Sequence, residues 1–162
     1  MKKVWCFSRR FLVMTSIVAA SAFVLSSCDK DDDDMDVAMY SISGTASGSQ
    51  MVPAVTGSGT ATITGTYNAK TNVMNYTTTW SALSAAPTGG GLYVGDAGEA
   101  GTAIGTAWNL GTDVDVAGTY SGQITLTDDQ EDELLDGDMY YVINTSTNAS
   151  GEIRGQIATS PQ

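Results

Sequence analysis

The chain has 162 residues with 18 acidic and seven basic side chains, no histidine and two cysteines. Without an imidazole there is neither a Ser-His-Asp nor a Cys-His catalytic pair, and no histidine-ligated metal; the length allows one domain with a modest core. The excess of negative charge repels phosphate backbones, so nucleic acid is excluded as a partner.

Lys2, Lys3, Arg9 and Arg10 form a positive leader, followed by an uncharged apolar run over residues 11–25 and then Leu25-Ser26-Ser27-Cys28. The run falls short of the ~20 residues that cross a bilayer as a permanent helix, so residues 1–27 read as a signal peptide. Its ending resembles the bacterial lipobox, in which a small residue precedes a cysteine that is diacylated before cleavage. Acyl chains on Cys28, at ~0.8 kcal/mol per buried methylene, would anchor the protein to a membrane, and Cys6, inside the leader, leaves Cys28 without a disulfide partner. Cleavage leaves 135 residues with three basic and 18 acidic side chains, a formal charge of −15. Residues 28–38 form a tether, because the run Asp29-Lys30-Asp31-Asp32-Asp33-Asp34-Met35-Asp36 repels itself into an extended chain of at most ~28 Å. The cluster resembles the export signal that follows the acylated cysteine in surface lipoproteins of Bacteroidetes. The expected location is thus the outer membrane at the cell surface, with periplasm-facing attachment as the alternative.

From residue 39 the pattern has period two. In residues 59–67, Ala61, Ile63, Gly65 and Tyr67 share one face, and Thr60, Thr62, Thr64 and Thr66 the other. Residues 73–80 repeat the alternation with Met74, Tyr76, Thr78 and Trp80, and residues 68–72 supply the turn of an antiparallel hairpin. Further strands are expected at 39–44, 103–110, 119–126, 139–145 and 152–158. Thr127-Asp128-Asp129-Gln130 is a capping box that starts a short helix over 128–135, closed by Gly137, with Leu134 and Leu135 as its apolar contacts. The expected fold is all-β: an antiparallel, Greek-key-like β-sandwich of seven to eight strands over 39–158, with this one helix and a tail over 159–162.

The C-terminal stretch carries a family likeness. Leu126-Thr127, Gln130, Leu134, Gly137, Tyr140, Asn148 and the run Gly151-Glu152-Ile153-Arg154-Gly155-Gln156-Ile157 resemble the closing half of the CHRD domain, named after chordin and common in microbial exported proteins. Gln50-Met51-Val52-Pro53-Ala54-Val55 resembles that family's Gln-Glu-Val-Pro-Pro-Val segment, and Leu83-Ser84 its Leu-Ser-Gly. The resemblance covers residues 40–157 and assigns structural roles to Pro53, Gly151, Glu152, Arg154 and Gly155. Three histidines that the family usually carries fall here at Leu92, Val94 and Asn144, so any site they build is lost.

Arg154, the only arginine after the leader, is expected to pair with a carboxylate, Glu152 or an acid of the helix cap. Residues 85–101, with six glycines, read as a loop, and Tyr93, Asp96 and Glu99 make it a candidate binding loop. Asp96, Glu99, Asp113 and Asp115 together offer a calcium site, and paired carboxylates a hydrolase. Tyr140 and Tyr141, adjacent in a strand, point to opposite faces, so one of them is expected to be buried. The leading expectation is a non-enzymatic, lipid-anchored module without catalytic residues, metal or cofactor. It contacts the membrane through Cys28, with a cell-surface protein or polysaccharide as partner. The alternatives are a calcium-dependent glycan-binding module and a carboxylate hydrolase.

Overall fold

The computed structural model describes residues 38–162; the leader, Cys28 and the acidic run lie outside the described residues. The strands are β1 (Met39–Ser47), β2 (Thr60–Asn68), β3 (Val73–Ser81), β4 (Pro87–Val94), β5 (Thr102–Ile104), β6 (Gly118–Thr125), β7 (Met139–Thr145), β8 (Ile153–Gln156) and β9 (Ala158–Pro161). A helix, α1 (Asp128–Asp136), sits between β6 and β7. All strand pairs are antiparallel, in the order β5-β4-β7-β8-β1-β2-β3-β6, with β9 also on β1. Among the described residues the fold is all-β with one short helix, as the alternation predicts.

One sheet curls over itself into two facing layers. Ile42, Ile63, Tyr67, Met74 and Trp80 from β1 to β3 share a single core with Leu92, Met139, Tyr141, Ile143 and Ile153 from β4, β7 and β8. The threonines of β2 at 60, 62 and 64 stay exposed while Ala61, Ile63 and Tyr67 are buried, which is the consequence of a pleat with one wet face. The layers meet where β8 and β9, in line with each other, pass from β7 to β1: Val142 faces Arg154, Ser47 faces Arg154 on the other side, and Ser43 faces Ala158. Two glycines permit this corner. A Cβ on Gly155 would lie 2.6 Å from the Thr45 carbonyl oxygen, and one on Gly44 would run into the carbonyl of Gln156.

The helix follows its local signals. Thr127 Oγ1 accepts from Gln130 N at 3.3 Å, the Gln130 side chain accepts from Thr127 N at 3.1 Å, and Gly137 closes the last turn at φ 87°. Leu134 is fully buried and Leu135 half-buried, so one leucine rather than two anchors the helix.

Three expectations are corrected. The stretch 87–94 is a strand, not part of a glycine-rich loop, and a Cβ on Gly90 would strike the Trp108 ring at 2.5 Å. The strand expected over 103–110 ends at Ile104, because Gly105 turns with φ 64° and Trp108 inserts between the layers. There its ring stacks on Tyr120 and Tyr141 at 5.1 and 6.4 Å, and its backbone N–H donates to the Gly90 carbonyl at 2.8 Å. Residues 159–161, expected as part of a tail, pair with β1 and complete β9 with Ala158.

The corner sets a clear expectation for substitution. Gly44→Ala and Gly155→Ala should each cost about 2 kcal/mol or more through overpacking against backbone. Gly57→Ala, with open space around it, should stay within about 0.5 kcal/mol. Urea unfolding of the three variants makes the comparison, and equal midpoints would remove the corner argument.

Candidate functional site

The alternation of β8 divides the Gly151–Ile157 motif between two surfaces. Ile153 and Ile157 point into the core and are essentially inaccessible. Arg154 and Gln156 point outward, opposite Val142 and Tyr140 of β7. Gly151 takes φ 128°, and a Cβ there would meet Met51 Cε at 2.5 Å and Val142 Cγ1 at 2.7 Å, so the bend before β8 needs glycine.

Glu152 occupies that bend with 1% of its surface exposed. Its carboxylate accepts from Ser84 N at 2.7 Å, Ser84 Oγ at 2.5 Å, Thr145 Oγ1 at 2.7 Å and Asn148 Nδ2 at 3.4 Å. It ties the β3–β4 connection to the β7–β8 turn. Burial on its own would raise the carboxyl, but the bonds from Ser84, Thr145 and Asn148 outweigh it and hold the group below its ordinary value.

Arg154 is 2% exposed and does not pair with Glu152 or with an acid of α1, contrary to expectation. Its guanidinium lies 3.5 Å from the centre of the Tyr140 ring, and Tyr140 stacks on Tyr93 at 5.1 Å and 12°. Nη1 donates to the Glu99 carbonyl, and Nη2 to the Asp96 carbonyl at 2.7 Å and to Gln156 Oε1 at 3.3 Å. Gln156 Nε2 reaches the Gly95 and Gly137 carbonyls at 2.9 and 3.1 Å, and Tyr140 Oη accepts from Gly101 N at 2.9 Å. These contacts hold the 95–101 loop over the outer face of β7. They also bury Tyr140 (5% exposed), while Tyr141 (0%) lies in the core, so both of the pair are buried where one was expected outside. Sequence reasoning missed this second, outer packing layer, since a backbone carbonyl carries no residue signature.

The candidate loop residues are thereby placed. Tyr93 stands on β4, half-buried against Tyr140, rather than in a loop. Asp96 and Glu99 flank Gly98 with their side chains exposed, and it is their carbonyls that face Arg154. Asp113 and Asp115 are also exposed, and among the described residues no three acidic or cysteine side chains are grouped to hold a metal ion. The calcium reading of these four acids therefore fails on geometry. Pro53 follows a cis peptide bond in the exposed 51–58 segment. Leu92 and Val94 sit opposite Tyr141 and Met139, facing the core, whereas Asn144 sits opposite Gly89 on the other face of the sheet. The three positions do not converge on one site.

Two clefts flank Arg154. One, about 220 Å³, is lined by Gln50, Met51, Val52, Ala97, Gly98 and Gln156. The other, about 120 Å³, lies among Met51, Val52, Tyr93, Ala100 and Tyr140.

Glu152 should make stability depend on pH in one direction. A carboxyl lowered in the fold contributes fully above its unfolded value of 4.5, and the contribution is lost as pH falls through the lower folded value. Glu152→Gln forces an amide N–H against a donor, should cost about 1–3 kcal/mol at neutral pH, and should flatten the acid limb of a stability–pH curve. Arg154→Ala should cost about 2 kcal/mol by stripping two carbonyls of their donor. Arg154→Lys should restore little, since an ammonium lacks the planar fork that bridges both. Thermal unfolding reads all three, and an unchanged Arg154→Ala midpoint would contradict the clamp.

Comparison with known proteins supplies a family. No curated protein and no solved structure matches the chain. A model of the CHRD domain matches residues 42–157, from within β1 to the junction of β8 and β9, and takes in the corner, both buried charges and the loops they hold; the chain belongs to the CHRD domain family.

Proposed function

We propose that the protein is a non-enzymatic, lipid-anchored interaction module displayed outside the cytoplasm. The observation that carries the non-enzymatic half is the fate of its two buried charges. Glu152 is saturated by four hydrogen bonds and Arg154 by carbonyls and an aromatic face, so neither has capacity left for a substrate. A hydrolase would need a carboxyl raised toward neutrality to donate a proton, and Glu152 is shifted the other way. The glycan-binding alternative loses its calcium with the dispersal of Asp96, Glu99, Asp113 and Asp115. The anchored half rests on the Leu25-Ser26-Ser27-Cys28 ending and the acidic run behind it.

Growth with an alkyne fatty acid should label the wild-type protein and leave Cys28→Ser unlabelled; an unlabelled wild type removes the anchor. Protease added to intact cells should then remove the domain. Protection that ends only when the outer membrane is opened would place the domain on the periplasmic side instead.

A further inference from the structure

We propose that the clefts on either side of the Arg154 guanidinium, with the apolar rim above them, form the docking surface for an extended, basic and apolar segment of another protein; this deepens, and rests on, the reading of the domain as an interaction module. Val52 is 43% exposed, one of two large apolar side chains so exposed among the described residues. Pro53 and Ala54 beside it, and Ala97 and Ala100 across the clefts, are exposed as well. An apolar patch rimmed by charge is the usual anatomy of a protein-binding site.

Size and charge select the occupant. At about 220 and 120 Å³ the clefts fall below the ~300–1,000 Å³ of sites that enclose a small molecule. They suit single side chains, presented in succession by an extended segment. The exposed acids Asp96 and Glu99 adjoin the lining residues Ala97, Gly98 and Ala100 in the chain, while Arg154, the one cation that lines either cleft among the described residues, is buried and turned inward. From Val37 onward the chain has 12 acidic and two basic side chains, so a second copy of this chain and nucleic acid are both repelled. A segment with lysine or arginine between small aliphatic residues matches both the apolar clefts and the acidic rim. Glu99 and Asp96 are held through their backbone, which leaves both side chains free to meet it.

The test uses the full chain in non-ionic detergent and a fluorescently labelled Lys-Val-Lys-Val-Lys peptide, read by anisotropy at low and physiological salt. Saturable binding is expected, weakened at least about fivefold by Val52→Ser and by Asp96→Asn with Glu99→Gln. It should be unchanged by Asp129→Asn with Asp132→Asn on the exposed face of α1. No saturable binding would overturn the proposal. So would equal sensitivity to the helix acids, which marks bulk charge attraction, or equal binding of Glu-Val-Glu-Val-Glu. Because acyl labelling of Cys28 is read separately, failure of the peptide arm leaves the anchored-module reading intact.

Discussion

Arg154 is buried with its guanidinium on the Tyr140 ring and its N–H groups on the carbonyls of Asp96 and Glu99, while two residues earlier Glu152 is buried among N–H and O–H donors. Opposite charges this close in sequence would ordinarily be expected to neutralise each other. Here each is compensated by neutral dipoles, and that choice organises the domain. A direct ion pair would incur the desolvation of both groups to satisfy one contact. Dipole compensation turns each charge into a multidentate fastener for backbone that has no sheet partner of its own.

The fasteners act on separate loops. Glu152 gathers the β3–β4 connection and the β7–β8 turn, and Arg154 with Gln156 gathers the 95–101 loop and the turn after α1. Strand β8, which carries Arg154 and Gln156 and follows directly on Glu152, lies at the corner where the sheet changes layer, with β7 on one side and β1 on the other. Sheet closure and loop placement therefore depend on the same few residues. The glycines at 44, 151 and 155 belong to that arrangement because each stands where another chain segment passes too close for a Cβ.

How much of this a sequence discloses depends on whether the determinant is local. The faces of β2 and β3 and the cap of α1 were legible because a period of two and a Thr-x-x-Gln box are complete within a few residues. Strand β4 was hidden for the opposite reason. Gly89, Gly90 and Gly91 have no side chains to alternate, and the need for glycine at 90 comes from Trp108, far along the chain. The 103–110 stretch looked extended because nothing in its composition shows that Gly105 adopts a left-handed backbone. The burial of Tyr140 could not be inferred from β7 alone, since its cover is a loop and an arginine from two other segments. The motif Gly-Glu-Ile-Arg-Gly was visible as a family mark, but the partners of its charges, backbone atoms and side chains of distant segments, were not.

Holding a loop through its carbonyls has a consequence for recognition. A clamp built on side chains would make every residue of the loop answerable to stability, and substitution there would weaken the fold. The Arg154 clamp fixes the course of residues 95–101 through the oxygens that every residue possesses. Asp96, Ala97, Glu99 and Ala100 are then exposed on a rigid path without structural duty. Side chains presented in this way pay little conformational cost on binding, because the backbone beneath them is already ordered. The same separation leaves Leu92, Val94 and Asn144 outside the clamp: the first two pack in or against the core, and Asn144 lies on the other face of the sheet.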